Sequence, residues 1–397
     1  MDPKTNSQPV PRILITRLSH IGDCVLTLPL LSAIRREHPD AFIAWAVESP
    51  TQQLLELHPD LDEIIQIPKG WLRKPKHYLN LRRKFKRLNF DIAIDPQGIT
   101  KSAALGWISG AKKRIGIKGR WGRELSPYLN NTLVQTTSEH IVERSLELLS
   151  KISFTTNQSK TNQHKTTGQK KKGEPNTDNA NANNANNTNH NHPANINFGL
   201  PVCPTSHTSI ESWLSQNVWK QQNAERFVLI NPGGSWASKR WEMDRYGAVA
   251  SYLKIHHDLT SVIVWAGVDE FEMAKKINSF DTNASIIAPR TNLRELASLT
   301  SRASFFIGGD TGPMHIASAM GIPCVGLYGT TRPEESGAFG PHHIAVQKWY
   351  QSGSCRKRRN AANDAMKDIL ASDVFSACDQ MIASLSNKSK WDSQSAA

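Results

Sequence analysis

The chain has 397 residues, so two domains are the natural expectation. Its net charge of +13 at pH 7 calls for an anionic partner: nucleic acid, phosphorylated lipid, a membrane face or a sugar nucleotide. No stretch resembles a DNA- or RNA-binding module, which argues against nucleic acid. The five cysteines are scattered without a CxxC, so neither a zinc site nor a disulfide framework is indicated. The polar start, MDPKTNSQPVPR, is unlike a signal peptide, and no apolar run reaches the roughly 20 residues of a membrane helix. The expectation is a soluble cytoplasmic protein with at most peripheral membrane contact.

In the first half, Ile13 to Ile15 reads as a buried strand, RLSHIGD as a glycine turn, and VLTLPLLSAIRREHP as a helix. Val25, Leu28, Leu31 and Ile34 give that helix one apolar face. Asp23 at its start has two readings: a cap or first-turn acid, or a general base at the carboxyl edge of a parallel sheet. Ala41 to Glu48, Glu63 to Pro68 and Asp91 to Gly98 supply three more strands separated by helical segments. The pattern is βαβα, hence a parallel sheet.

Between the third and fourth strands lie nine Lys/Arg residues, from Lys69 to Arg87, and no acid. A solvated helix normally mixes signs. Trp71, Tyr78 and Phe85 are interleaved, which suits an amphipathic surface meeting anionic lipid or phosphorylated glycan. A second basic cluster, Lys112, Lys113, Arg114, Lys118, Arg120 and Arg123, also reads as an anion contact. SEHIVERSLELLSKI then closes the domain as an amphipathic helix.

From about Thr155 to Pro201 hydrophobic periodicity is absent, and residues 176 to 197 hold eleven Asn in 22 positions. Such a tract buries too little apolar surface to offset chain entropy and is expected to be a disordered interdomain linker.

The second half opens with the strand Phe227 to Ile230 and the turn NPGG. Gly233, Gly234 and Ser235 offer donors, and Lys239 and Arg240 lie within a loop's reach of a phosphate. GGSWASKR lacks the Walker spacing. After the strand SVIVWAG come Asp269 and Glu270, where an acid holds ribose hydroxyls or simply opens a helix. ASIIAP is a strand and NLRELASLTSRA a helix. In FFIGGDTGPMHIASAMGIPCVGLYG a strand breaks at Gly308 and Gly309. Asp310 or Thr311 caps the next helix, Pro313 fits its first turn, and Gly321 closes it. Free N–H groups at such a turn suit a phosphate or pyrophosphate, although a β-turn-α unit without ligand has the same pattern. Asp373 to Leu385 reads as a terminal helix. The expected domains are therefore 11–153, a linker at 154–201, 202–372, and a C-terminal helix and tail at 373–397.

Both halves are thus doubly wound α/β. Four stretches, RLSHIGDCVLTLP, DPQGITKSA, NPGGSWASKRW and GGDTGPMHIASAMGIPCVGLYG, resemble the lipopolysaccharide heptosyltransferases of glycosyltransferase family 9. AWAVE and DPQGITKSA look more like heptosyltransferase I than heptosyltransferase II. The resemblance implies a GT-B fold of two Rossmann-like domains facing across a cleft. It also implies inverting transfer of L-glycero-D-manno-heptose from ADP-heptose to the Kdo/lipid A inner core, with no cofactor or required metal. Asp23 then matches the general base. Gly234, Ser235, Lys239, Asp310, Thr311, Gly312 and His315 match donor-binding positions, and Asp269 joins them as the candidate ribose acid. Lys69, Arg73, Lys74, Lys101 and Arg123 would face the anionic lipopolysaccharide precursor at the cytoplasmic face of the inner membrane. Pro313 and Met314 depart from the family's DTGLSH form, and the Asn-rich linker is absent from typical members. Another nucleotide-sugar transferase, a GT-B epimerase and a non-catalytic sugar-nucleotide-binding module are the competing readings.

Overall fold

A computed structural model describes residues 10–154, 196–221 and 226–395. The first half carries β1 (Arg12–Thr16), α1 (Ile21–Val25), α2 (Leu28–Glu37), β2 (Phe42–Val47), α3 (Gln52–Leu55) and β3 (Glu63–Gln66). It continues with α4 (Pro75–Leu88), β4 (Ile92–Ile94), α5 (Thr100–Ile108), β5 (Lys113–Ile117), α6 (Ser126–Leu129), β6 (Thr132–Val134) and α7 (Ile141–Glu147). Its six strands pair in parallel in the order β3-β2-β1-β4-β5-β6.

The second half runs α8 (Pro204–Asn217), β7 (Phe227–Asn231), α9 (Met243–His257), β8 (Thr260–Ile263), α10 (Gly267–Asn278), β9 (Ser285–Ile287) and α11 (Leu293–Thr300). Then come β10 (Phe305–Gly309), α12 (Gly312–Ala319), β11 (Cys324–Leu327), α13 (Pro333–Ser336), β12 (Ile344–Val346), α14 (Cys355–Arg359), α15 (Asp364–Lys367) and α16 (Ala371–Ser395). This sheet is also parallel, in the order β12-β11-β10-β7-β8-β9. Read from β9, it repeats the strand order of the first sheet. Each sheet reverses direction once, between β1 and β4 and between β7 and β10, and ligands of open α/β sheets bind at that reversal. The doubly wound GT-B expectation holds.

Three sequence expectations differ in detail. The helix expected from Val25 onward is broken at Leu26 and Thr27, because Pro29 has no N–H to donate to Val25 and restarts the helix as α2. Lys113 and Arg114 begin a strand; the Arg114 guanidinium donates to the carbonyls of Leu129 (2.9 Å) and Ala111 (3.0 Å). Trp71 and Phe85 are fully buried in the first core with Leu81, and Tyr78 packs against it, so these aromatics serve packing rather than a lipid surface. The exposed apolar residues of that stretch are Leu72 and Leu79.

Most of the expected linker, 155–195, lies outside the described residues. Its described end includes Phe198, which is buried and accepts a hydrogen bond from His58 Nε2 (3.1 Å). The second core is filled by Val228, Ile230, Tyr246, Phe305 and Ile307. The α16 residues Val374, Cys378 and Met381 also pack into it. Among the described residues, no helix is long and apolar enough to cross a membrane.

Candidate active site

The loop after β1 is held from the neighbouring strand. Asp95, just past β4, is buried and accepts from the N–H groups of Gln97 (3.2 Å) and Gly98 (3.0 Å). Ser102 Oγ (2.6 Å), Ser126 Oγ (2.9 Å) and Asn130 Nδ2 (3.1 Å) also donate to it. Burial pushes its pKa up and these donors pull against that rise. The turn so fixed presents Gln97, which accepts from Leu18 N–H (2.9 Å) and donates to Ser19 O (3.2 Å). Pro96 O accepts from Arg17 (2.9 Å).

Arg17 is buried and its guanidinium reaches Asp23 Oδ2 at 2.9 Å. Asp23 stands in the first turn of α1, behind the N-cap residue His20. Its carboxylate therefore faces a cation, and α1 has no side-chain cap bond. Burial alone would raise the Asp23 pKa. Arg17, with His20 and His315, outweighs burial and holds the carboxyl well below the ordinary range. Asp23 is thus ionised throughout the neutral range and open to a donor hydroxyl.

On the other sheet, the turn after β7 brings Lys239 Nζ to 3.0 Å from both Asp310 Oδ2 and the Asp310 carbonyl. Asp310 follows β10 and is buried. Its Oδ1 accepts from His315 Nε2 at 2.9 Å, and Ser336 Oγ lies 3.4 Å from Oδ2. Burial would raise the Asp310 pKa, but Lys239 and His315 carry it well below its usual value. Thr311 occupies the N-cap position of α12 without a side-chain cap bond. Its hydroxyl instead accepts from Asn231 Nδ2 (3.0 Å) and donates to Gly309 O (3.2 Å), tying the ends of β7 and β10 together. The first turn of α12 opens at Gly312 with N–H groups that lack helical partners.

The two glycine turns meet. A Cβ on Gly22 would stand 2.2 Å from His315 Cδ2, and one on Gly312 would stand 3.1 Å from Ile21 Cγ2. Arg294 of α11 adds a second bridge, pairing with Glu56 and donating to Gln53 O (3.0 Å) on the α3 side. Between the turns lies a cavity of about 320 Å³. Gly22→Ala is expected to displace His315 and part α1 from α12. Turnover should fall at least tenfold while circular dichroism stays native; an unchanged kcat would show that this contact is dispensable.

Of the residues singled out in the sequence, Asp23 and Arg123 line the cavity from the first half. Ser235, Lys239, Asp310, Thr311, Gly312 and His315 line it from the second. Gly234 lies just behind, its carbonyl accepting from Arg240 Nε (2.9 Å). Asp269 is exposed on α10 and does not line the cavity. Its neighbour Glu270 is the acid at the glycine loop: a Cβ on Gly233 would be 2.2 Å from Glu270 Oε1. Lys69, Arg73 and Lys74 are exposed outside the cavity, and Lys101 pairs with Glu48.

The sequence reading missed Arg17, Arg144, Arg332 and Arg358 among the cavity cations. Arg144 is buried with its guanidinium 3.7 Å from the Trp121 ring centroid, and burial with nearby Arg17 lowers its pKa to about 10. A cation directly after the β1 strand end was the available signal for Arg17.

The profile of glycosyltransferase family 9 (heptosyltransferase) matches residues 78–366. Lipopolysaccharide heptosyltransferase 1 of Salmonella typhimurium is 24% identical over 361 residues, covering 89% of this chain and 96% of that protein. The structure of a family 9 glycosyl transferase from Veillonella parvula superposes with a TM-score of 0.73 at 20% identity, over 94% of this chain and 98% of that one. The E. coli heptosyltransferase WaaC with ADP-2-deoxy-2-fluoro heptose gives 0.66 at 20% identity, over 93% and 99% of the two chains. With a profile matched over most of its length and both sheets in place, the chain belongs to glycosyltransferase family 9, the heptosyltransferases, and is a glycosyltransferase.

Proposed function

We propose that the protein transfers L-glycero-D-manno-heptose from ADP-heptose, with inversion, to the Kdo/lipid A inner core of lipopolysaccharide, in the manner of heptosyltransferase I. One observation carries the reading: an ionised, cation-held Asp23 and the Lys239–Asp310–His315 cluster face one cavity from opposite strand reversals. The acceptor hydroxyl oxygen forms the bond to the heptose C1 as the C1–O bond to the β-phosphate breaks. Its proton passes to Asp23 and the bond's electron pair leaves with ADP. The low pKa of Asp23 makes it a weak base, so proton transfer comes late, once the attacking oxygen has turned acidic. Lys239, Ser235, Thr311, Gly312 and His315 meet the donor's diphosphate and sugar, where fixed donors stabilise developing charge. Gly234 keeps the glycine loop open to the nucleotide. Asp269, or its neighbour Glu270 against the glycine loop, is the acid for the ribose hydroxyls.

Arg123 meets the anionic acceptor inside the cavity. Lys69, Arg73, Lys74 and Lys101 act farther out, where together with the cations of α4 they attract the lipid-borne substrate to the membrane face. Removing several charges between Lys69 and Arg87 should raise the acceptor KM and flatten its salt dependence while leaving ADP-heptose affinity unchanged. An equal loss of donor affinity would instead place this segment at the nucleotide.

Incubation with ADP-heptose and a Kdo/lipid A acceptor, read by mass spectrometry, tests the whole reading. A mass increase of one heptose on the acceptor supports it. An isomerised nucleotide sugar, or binding without turnover, sinks it.

A further inference from the structure

Breaking the C1–O bond of a nucleotide sugar puts an extra negative charge on a diphosphate, which needs a cation free to receive it. Lys239 is only partly free, because its ammonium already meets both the carboxylate and the carbonyl of buried Asp310. Arg332 is exposed, with the Glu335 carboxylate 3.9 Å away and the Tyr350 ring 4.4 Å from its guanidinium. The remaining cavity cation of the second half is Arg358, in α14. Among the described residues no carboxylate lies within ion-pair distance of it, and positions 336 to 363 of the chain contain no acid at all.

Arg358 is partly buried and held in place. Its Nε donates to Gly353 O (3.1 Å) and its NH1 to Thr330 O (2.6 Å). Those bonds use two of its five N–H donors and leave three. Its own carbonyl accepts from Ser238 Oγ (2.7 Å), next to Lys239, so α14 is tied to the lysine-bearing turn. Lys239 Nζ and the Arg358 guanidinium both stand over Trp236, at 4.8 and 5.9 Å from the ring centroid. A planar guanidinium fixed in this way is suited to two-pronged contact with phosphate oxygens.

We infer that Arg358 is the second diphosphate-binding cation of the nucleotide-sugar site, receiving with Lys239 the charge that develops on the departing nucleoside diphosphate. The inference rests on the donor reading above.

Calorimetric titration of the full chain with ADP, without acceptor, tests it. Arg358→Gln should weaken ADP roughly 10- to 100-fold, the range for a charge-assisted hydrogen bond. Arg358→Lys should recover part of that loss. Lys357→Gln, an exposed neighbour outside the cavity, should leave ADP affinity unchanged. Adenosine affinity, measured by NMR, should be unaffected by Arg358→Gln, whereas a merely structural role would weaken ADP and adenosine alike and overturn the inference. Unchanged ADP affinity in Arg358→Gln also overturns it and leaves the donor reading standing; a rise confined to the acceptor KM would then move Arg358 to the acceptor. If the wild-type chain binds UDP or GDP in place of ADP with the same Arg358 dependence, the inference stands and the ADP-sugar donor falls. No binding of any nucleoside diphosphate overturns both.

Discussion

Asp23→Asn is expected to lose roughly 100- to 10,000-fold in kcat, the usual worth of general-base catalysis. Asn keeps one carbonyl oxygen for Arg17 but has no basic site for the acceptor's proton. Donor affinity should hold and the melting temperature should move by a few degrees at most. If Asp23 were only a cap, the variant would be nearly silent, since Asn caps about as well as Asp. That alternative starts from a weak position, because the carboxylate is bound to Arg17 at 2.9 Å and α1 has no side-chain cap bond. Full turnover of Asp23→Asn at saturating substrates would nevertheless end the base assignment. The pH profile supplies a second reading. Arg17 holds the Asp23 pKa below the ordinary carboxylate value, so in the wild type any acid limb due to this group lies below about pH 4. Arg17→Gln raises that pKa and should move the acid limb of kcat upward.

Lys239→Met should lower kcat by about 100- to 1,000-fold, with weaker donor binding, because in the proposed reaction the cation acts on bound and departing phosphate alike. It should also destabilise the protein by roughly 3–5 kcal/mol, since it leaves the buried Asp310 carboxylate without its ammonium partner. The sign of the pH effect follows from the depressed Asp310 pKa. In the wild type the pair's contribution is fully present above about pH 4 and is lost as the pH falls below it. The stability gap between wild type and Lys239→Met should therefore be widest near neutrality and narrow in acid. A gap that stayed constant down to pH 2 in urea titrations would remove the ion pair as its cause.

Much of this site was legible because it stands on strand ends. Asp23, Lys239, Asp310 and His315 each sit just beyond an apolar run broken by glycine, and that punctuation is local. Arg17, Asp95 and Arg358 escaped because what defines them is distant: Arg17 meets Pro96, and Arg358 meets Ser238 across 120 positions. In α4 the period of Tyr78, Leu81 and Phe85 was that of a buried helix face, yet the density of charge drew the reading to the surface. The sequence showed β5, β6 and β12 less clearly. The first opens with two cations and the last is only partly buried, so neither shows the continuous apolar run of a central parallel strand.

Asp23, Asp310 and their partners stand in loops and first helical turns beyond the strand ends, while the cores are filled by other residues. Stability and chemistry are thus written in separate parts of the chain. Substitutions that repack either core need not move a reacting atom, and changes of substrate preference need not loosen a core. Such a separation leaves the fold tolerant of substitution. Chimaeras that exchange one half between family members should therefore fold, and under the proposed function the second half would carry the nucleotide preference and the first the acceptor preference.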